Sequence, residues 1–355
     1  MRGIYAAAYL ERLAASFALR RGVAGLDVGQ AFDLLVGTST GGIIACALAA
    51  GLPLLQVVEL YRKHGAAIFP RKMPTSPGTH LFLDLLRRPR SLRAGAAALH
   101  AALQANFGGL TMGKVYEQRG IAIAIPAVEL SQHRGWVFKT PHLATTNHRD
   151  DGYALVDVCM ATTSAPLFRS IASLRHPDHG PEGVRAFVDG GLWANNPVLV
   201  GLIEALSMAE PNSRIEVFAL GTCGAPPGEA QPSDLNRGLP GWAFGAKVAA
   251  LSIDAQQSAY DVMTRLLLPH LNRPCEVERF PSQPVRPGLS CYLDLDETRP
   301  SALDELINQA RTDADYSNSA SAPDATRQRI AALFNEAPVS NEATFPHARD
   351  ETATG

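Results

Sequence analysis

The 355-residue chain can bury a sizeable core, and its 46% apolar and 19% charged residues are the mixture of an ordinary globular protein. A formal net charge of −2 excludes binding to nucleic-acid polymers through bulk electrostatics. Five scattered cysteines, Cys46, Cys159, Cys223, Cys275 and Cys291, are odd in number and never spaced C-x-x-C, which fits reduced cytoplasmic thiols better than a disulfide framework or a zinc site.

Apolar residues recur at helical spacing over residues 4–20, so the chain is predicted to open with an amphipathic helix; Glu11, Arg12, Arg20 and Arg21 interrupt it too often for a signal peptide. A short buried strand over 31–36 is followed by a helix over 42–50 that stops at Gly51, and by another helix over 54–64. Residues 70–77 carry three prolines and read as a loop, and residues 78–110 as a Leu/Arg-rich segment followed by an alanine-rich helix. Strands are predicted over 121–128, 135–139, 186–188 and 215–220, and helices over 241–268 and 302–316. No apolar run reaches the ~18 to 20 residues of a membrane span. Strands alternating with helices imply an α/β domain with a largely parallel central sheet. The domain is expected to cover 1–335, with a core over 1–225, a helical part over 238–335 and a polar disordered tail over 336–355.

The most informative stretch is Phe-Asp-Leu-Leu-Val-Gly-Thr-Ser-Thr-Gly-Gly, residues 32–42. Strand, sharp turn and helix follow one another there, which is what a nucleophile elbow centred on Ser39 requires. Gly37 and Gly41 flank the serine, with Thr38, Thr40 and Gly42 completing the motif, and Ser39 falls at a helix N-terminus whose N–H groups favour negative charge. A capped strand-to-helix turn is the bland alternative. A serine nucleophile needs a base, either a histidine or a carboxylate. The ten histidines lack a strand-end setting, although His270 lies downstream where an α/β-hydrolase would keep one. Asp189 stands out because it ends an apolar strand and precedes Gly190 and Gly191; an Asp-Gly turn is its ordinary role.

Together, Gly37-Thr38-Ser39-Thr40-Gly41-Gly42 and Asp189-Gly190-Gly191 resemble the patatin-like phospholipase family, which uses a Ser/Asp dyad without histidine. Residues 160–168 (Met-Ala-Thr-Thr-Ser-Ala-Pro-Leu-Phe), Asn195-Asn196-Pro197 and Leu220-Gly221-Thr222 are similar to further blocks of that family, in the same order. The resemblance implies a three-layer α/β/α fold and a lipid acyl hydrolase, with Ser39 as acylated nucleophile and Asp189 as general base. It implies no cofactor or metal, and an acyl-ester lipid such as a membrane phospholipid as substrate. The family begins with a strand and a glycine-rich oxyanion loop, of which Arg2 and Gly3 match the end. The expectation drawn from this is low or no activity for these 355 residues and activity in an upstream-extended chain.

Leu81, Phe82, Leu85 and Leu86 lie at helical spacing beside Arg87, Arg88, Arg90 and Arg93, a pattern suited to peripheral contact with an anionic inner membrane face and equally to core packing. Some bacterial relatives are antiphage effectors switched on by cyclic nucleotides; the layout is compatible with that, and no residue marks a nucleotide pocket. A Ser-His-Asp esterase using His270 and a non-catalytic lipid-binding protein are the rival readings. Acyl-chain preference and oligomeric state are not encoded in any motif.

Overall fold

A computed structural model describes residues 3–73, 79–176, 183–223, 235–238, 241–281 and 287–340. Helix α1 (Gly3–Arg21) is buried without interruption from Gly3 to Leu10. The expectation of a single buried face therefore holds only for its second half. Three consecutive alanines, Ala6 to Ala8, let the first half sit inside, packed on α3 (Leu54–Ile68) and α10 (Pro300–Ser317), with the Tyr5 hydroxyl donating to Asp313 at 2.5 Å.

Strand β1 (Leu34–Val36) leads into α2 (Thr40–Ala50), which is buried from Gly42 to Ala49 and closes on Gly51 in the left-handed conformation (φ 78°). Within the 78–110 region one continuous helix, α4 (Thr79–Phe107), runs with Pro89 inside it. The side chains of Leu81, Phe82, Leu85 and Leu86 lie outside the described residues. After α5 (Met112–Arg119) come strand β2 (Ala122–Glu129), strand β3 (Arg134–Lys139) and helix α6 (Leu155–Thr162). Strands β4 (Ala172–Arg175) and β5 (Val184–Asp189), the short helix α7 (Gly191–Ala194) and helix α8 (Val198–Met208) follow. Strands β6 (Ile215–Leu220) and β7 (Cys275–Phe280) form a separate parallel pair flanking α9 (Ala246–Leu267) in sequence. Helix α11 (Asp324–Glu336) ends the regular structure; residues 337–340 run back against 25–27 through an isolated bridge between Leu26 and Val339. The remainder of the expected tail lies outside the described residues.

The expectation of a largely parallel sheet is only partly borne out. In the five-stranded sheet only β1 and β2 are parallel; β2 with β3, β2 with β5 and β4 with β5 are antiparallel. Four residues separate β2 from β3, far too few for the crossover a parallel pair needs, so a hairpin is the only connection available. The layers do follow the α/β/α arrangement. Leu35, Ile123 and Ile125 share one face by strand alternation, and Gly42 of α2 packs on Ile125. Val36 is on the opposite face and meets Gly201 of α8.

The register sets two strands end to end. Strands β1 and β5 occupy the same edge of β2 in succession, β1 opposite residues 122–124 and β5 opposite residues 127–129. They run in opposite directions, so their C-terminal ends point at each other across Ile125 and Pro126. Even-numbered residues of β2 turn their backbone groups to this edge, as the bond from Ala122 N to Asp33 O illustrates. A proline at 126 is tolerated mid-strand because its missing N–H would have faced the gap, where neither strand offers an acceptor.

Candidate active site

Ser39 follows the end of β1 and Asp189 is the last residue of β5, so the head-on meeting of the two strands brings them together. The Ser39 hydroxyl donates to Asp189 Oδ2 at 2.6 Å. Ser39 has φ 55° and ψ −123°, a region costly for a residue with a side chain, and the costly turn aims Oγ across the gap. Gly37 makes that turn sterically feasible, since a Cβ there would lie 2.1 Å from the Gly41 carbonyl oxygen. Gly42 is needed for packing, with Thr162 Cγ2 at 2.8 Å from the same hypothetical atom. Gly41, the other flanking glycine, faces open space.

Neighbouring backbone fixes both partners. Ser39 N donates to Thr162 Oγ1 at 2.9 Å, and the Thr162 hydroxyl donates to Pro126 O at 2.7 Å, filling the gap between the strands. The Thr38 hydroxyl donates to Ala194 O at 2.6 Å, tying the elbow to α7. On the other side, Asp189 N donates to Ser164 O at 3.0 Å and Asp189 Oδ1 accepts from Gly191 N at 2.7 Å. Gly190 permits the close approach of β5 to β2, since a Cβ would sit 2.2 Å from Pro126 O. Of the other matched blocks, Asn196 Oδ1 accepts from Val198 N at the start of α8 and from Arg279, while Asn195 and Asn196 bond to Gln257 and Asp261 of α9. Leu220 and Gly221 close the small β6–β7 sheet instead of entering the site, Gly221 N donating to Phe280 O.

Burial pushes the Asp189 carboxyl up from 3.8 to about 6, against the opposing pull of the Ser39 hydroxyl, the Gly191 N–H and the Arg169 cation. Arg169 is itself buried, which draws its guanidinium down to about 10, so it stays charged at neutral pH. Its Nε is a buried donor with no hydrogen-bond partner. A carboxylate in this setting accepts a proton near neutral pH, where an exposed aspartate does so only in acid.

Beside Ser39 a cleft is lined by Ile43, Tyr61, Ile68, Phe69, Leu99 and Leu295, with Thr163, Ala165 and Arg169 on its other wall. Most of this lining is apolar, and the enclosed space of about 20 Å³ is that of a single water, so an alkyl chain enters only as these side chains part. Gly3, at the start of α1, abuts the residue after the serine: a Cβ on Gly3 would lie 2.6 Å from Thr40 Cβ. The first turn of α1 thus stands next to the elbow, whereas Arg2 lies outside the described residues. Among the histidines, His142 bonds to Thr140 and Glu204, His148 to Asp151 and His176 to the Arg149 carbonyl. His270 sits exposed on the turn after α9. Among the described residues no cluster of His, Cys, Asp and Glu could hold a metal ion, and no helix is long and apolar enough to cross a membrane.

Sequence reasoning missed Arg169, Thr162 as the Ser39 anchor, and Tyr61. Arg169 lies one residue past the 160–168 block and Thr162 inside it, so the block itself was the available signal.

Comparison with known proteins adds lineage to this geometry. The model of the patatin-like phospholipase family matches residues 1–202. A protein named cGAMP-activated phospholipase from Pseudomonas aeruginosa (strain BWHPSA011 / Pa011) is 33% identical over 270 residues, 75% of this chain and 72% of the relative. One of the same name from Vibrio cholerae serotype O1 (strain ATCC 39315 / El Tor Inaba N16961) is 30% identical over 273 residues, 74% and 73% of the two chains. Patatin-like protein 1 of Oryza sativa subsp. indica is 27% identical over 206 residues, 53% and 44% of the two chains.

Proposed function

The chain belongs to the patatin-like phospholipase family, and on that premise we propose that it hydrolyses fatty acyl esters of membrane phospholipids through Ser39 and Asp189. The observation that carries the proposal is the 2.6 Å bond between a strained serine and a buried carboxylate poised at about 6.

In this reading the acyl chain enters the cleft beside Ile43 and Leu99. Ser39 Oγ attacks the ester carbonyl carbon while its proton passes to Asp189 Oδ2. The carbonyl π pair moves to oxygen, and the oxyanion meets the Thr40 N–H at the start of α2 and the positive first turn of α1. Collapse breaks the C–O bond to the glycerol, whose oxygen takes the proton from Asp189 and leaves as the lysophospholipid. Water then attacks the acyl-serine, Asp189 again takes a proton, and Ser39 recovers it as the fatty acid departs. Exposed Leu167 and Ile171, 64% and 56% accessible, flank Arg169 on the loop that crowns Asp189 and supply an apolar approach to a lipid surface.

The test is labelling of the purified chain by a fluorophosphonate together with mass analysis of products from phospholipid vesicles. Labelling and fatty-acid release that vanish in Ser39→Ala and Asp189→Asn support the dyad. Activity that survives Asp189→Asn and is lost in His270→Ala would instead establish the Ser-His-Asp alternative, and an unlabelled Ser39 would leave a lipid-binding protein.

The name of the two bacterial relatives, cGAMP-activated phospholipase, favours one addition, activation of this hydrolase by a cyclic nucleotide. Fatty-acid release measured with and without cGAMP tests it, and equal rates would refute it.

A further inference from the structure

Arg169 lines the Ser39 cleft with only 6% of its surface exposed, and its Nε is a buried donor without a partner. Its guanidinium forms no ion pair and no hydrogen bond with the described residues. Arg119 and Lys139, both less deeply buried, are by contrast paired with Asp27 and Glu204. A buried charge is costly unless something compensates it, so an unpaired one at a substrate cleft calls for an explanation.

The carboxylate whose charge acts on Arg169 is Asp189. Both Asp189 oxygens are engaged elsewhere, Oδ1 by Gly191 N and Oδ2 by the Ser39 hydroxyl, so neither accepts from the guanidinium. In the proposed reaction Asp189 becomes neutral each time it takes the serine proton. Arg169 then loses the only counter-charge the fold supplies, while the cleft holds the substrate.

The chain around Arg169 fixes where this cation sits. Phe168 N and Arg169 N both donate to Ala165 O, at 3.1 and 2.8 Å, Leu167 is left-handed (φ 72°), and the buried Arg88 of α4 donates to Leu167 O. On either side of Arg169 in sequence, Leu167 and Ile171 are exposed, whereas Ile43, Ile68 and Leu99 of the cleft are buried. Arg169 thus belongs to the outer rim by its neighbours and to the cleft by its side chain. A glycerophospholipid has the matching order: an apolar chain, the ester, and a phosphodiester a few bonds beyond the glycerol carbon that bears this ester.

From this arrangement, and resting on the hydrolase reading, we propose that Arg169 selects phospholipids, its guanidinium taking the lipid phosphodiester while the ester carbonyl lies at Ser39. The parting of side chains that admits the acyl chain also uncovers the guanidinium. Nε and a terminal nitrogen then meet two phosphate oxygens side by side, the paired geometry that arginine and phosphate share. Phe69, whose ring centroid is 5.8 Å from Arg169 Cζ, moves with the same wall. A neutral diacylglycerol brings no anion and leaves the cation uncompensated, so phospholipids are preferred over glycerides with the same chains.

The experiment measures binding to the purified full chain by calorimetry at pH 8, with two diethers that cannot be hydrolysed as esters, dihexyl glycerophosphocholine and dihexylglycerol. The first carries the phosphodiester but no net charge, so bulk attraction does not enter. Wild type should bind it about tenfold or more tighter than dihexylglycerol, and Arg169→Met should bring the two affinities within about twofold of each other. Arg169→Met replaces an unpaired buried charge by an apolar chain and is expected to fold; Arg169→Gln is the second variant, with the same expected loss. Equal affinities of the wild type for the two diethers would overturn the proposal, as would a preference that survives both substitutions. Hexanoate is the third probe: Arg169-dependent binding of hexanoate as tight as that of the phosphodiester would assign the cation to the departing carboxylate instead. For activity, the ratio of kcat/KM for dihexanoyl phosphatidylcholine to that for dihexanoylglycerol should fall about tenfold or more in Arg169→Met, and an unchanged ratio would refute the selection. A ratio is used because the influence of Arg169 on Asp189 bears on both esters and cancels. The binding measurements stand whether or not the chain hydrolyses esters, and failure of the hydrolase reading shows separately, as an unlabelled Ser39.

Discussion

Replacing Asp189 by asparagine should abolish activity and at the same time stabilise the protein, by an amount that depends on pH in a defined way. The carboxyl is pushed from 3.8 to about 6 by burial. A raised pKa in the folded state means that the fold holds the proton more tightly than the unfolded chain does. Stability from this group is therefore fully present below about pH 3.8 and is lost as pH rises through about 6. Above that the wild type carries a buried charge whose ionisation costs about 3 kcal/mol of stability, at 1.36 kcal/mol per pH unit of displacement. Asparagine never ionises, has nearly the same shape, and keeps an oxygen for the Gly191 N–H. The gain of the variant over wild type should thus be close to zero at pH 3.5 and approach about 3 kcal/mol at pH 8. For a chain of this length that corresponds to roughly 4 °C in melting temperature. The assay is thermal unfolding of both proteins across pH 3.5 to 8, taking the difference at each pH so that other titrating groups cancel. A difference that stays flat over this range, or a variant less stable than wild type at pH 8, would refute the assignment of a burial-raised carboxyl at this position.

Substituting Arg169 by methionine removes the cation that holds the Asp189 carboxyl down, so the acidic limb of the kcat/KM profile should move up by about one pH unit or more, and an unmoved limb would detach Arg169 from the base. Thr162→Val strips the acceptor from Ser39 N and the donor from Pro126 O, a loss of about 1 to 3 kcal/mol that should appear as a lower melting temperature and at least tenfold slower fluorophosphonate labelling; an unchanged labelling rate would show that the elbow holds its shape unaided. The two glycines flanking Ser39 should behave oppositely: Gly37→Ala drives a Cβ into the Gly41 carbonyl and should prevent stable folding, whereas Gly41→Ala meets open space and should leave the melting temperature within about 2 °C. Equal effects of the two would contradict the turn geometry.

The parts of this fold that can be read from sequence are those whose cause is local. The strand, elbow and helix around Ser39 are written in consecutive residues, and Gly51 marks the end of α2 because a left-handed cap is needed there. Strand direction in the sheet has a cause that is not local. Alternating apolar segments do not say which edge of β2 a strand will join, and β5 enters antiparallel at the far end of the edge that β1 occupies. The β2–β3 hairpin, by contrast, is legible in the short spacing between the two strands, and the expectation of a largely parallel sheet passes over it. Helices α6 and α8 are short and apolar nearly all round, as in Val-Leu-Val-Gly-Leu-Ile-Glu-Ala-Leu-Ser-Met, so their periodicity does not separate helix from strand. Of the site, Ser39 and Asp189 are visible as motif residues, but Thr162, Arg169 and Tyr61 come from α6, the loop after it and α3, and only the tertiary fold brings them to the pair.

That register also accounts for how a carboxylate can stand where a histidine would be expected. In a triad the histidine is the base and a carboxylate orients it. In the proposed dyad one carboxylate has both tasks, and they are divided between its oxygens: Oδ1 is locked by Gly191 N, and Oδ2, which accepts the Ser39 hydroxyl, is the oxygen proposed to take its proton. Rotation that would exchange the oxygens is opposed by the flanking backbone, since Asp189 N is tied to Ser164 O and Gly190 lies against Pro126 O. Basicity comes from burial, which brings the carboxyl to about 6, close to the ~6.5 of an unperturbed histidine. Burial alone would push it further and leave the acid protonated at working pH, where it could accept nothing. The buried Arg169 cation opposes that rise, so the proposed base remains ionised at neutral pH while staying basic enough to take the serine proton as the attack proceeds. The opposing influences of burial and Arg169, set on two strand ends that face each other across Pro126, make a two-residue site sufficient for the proposed chemistry.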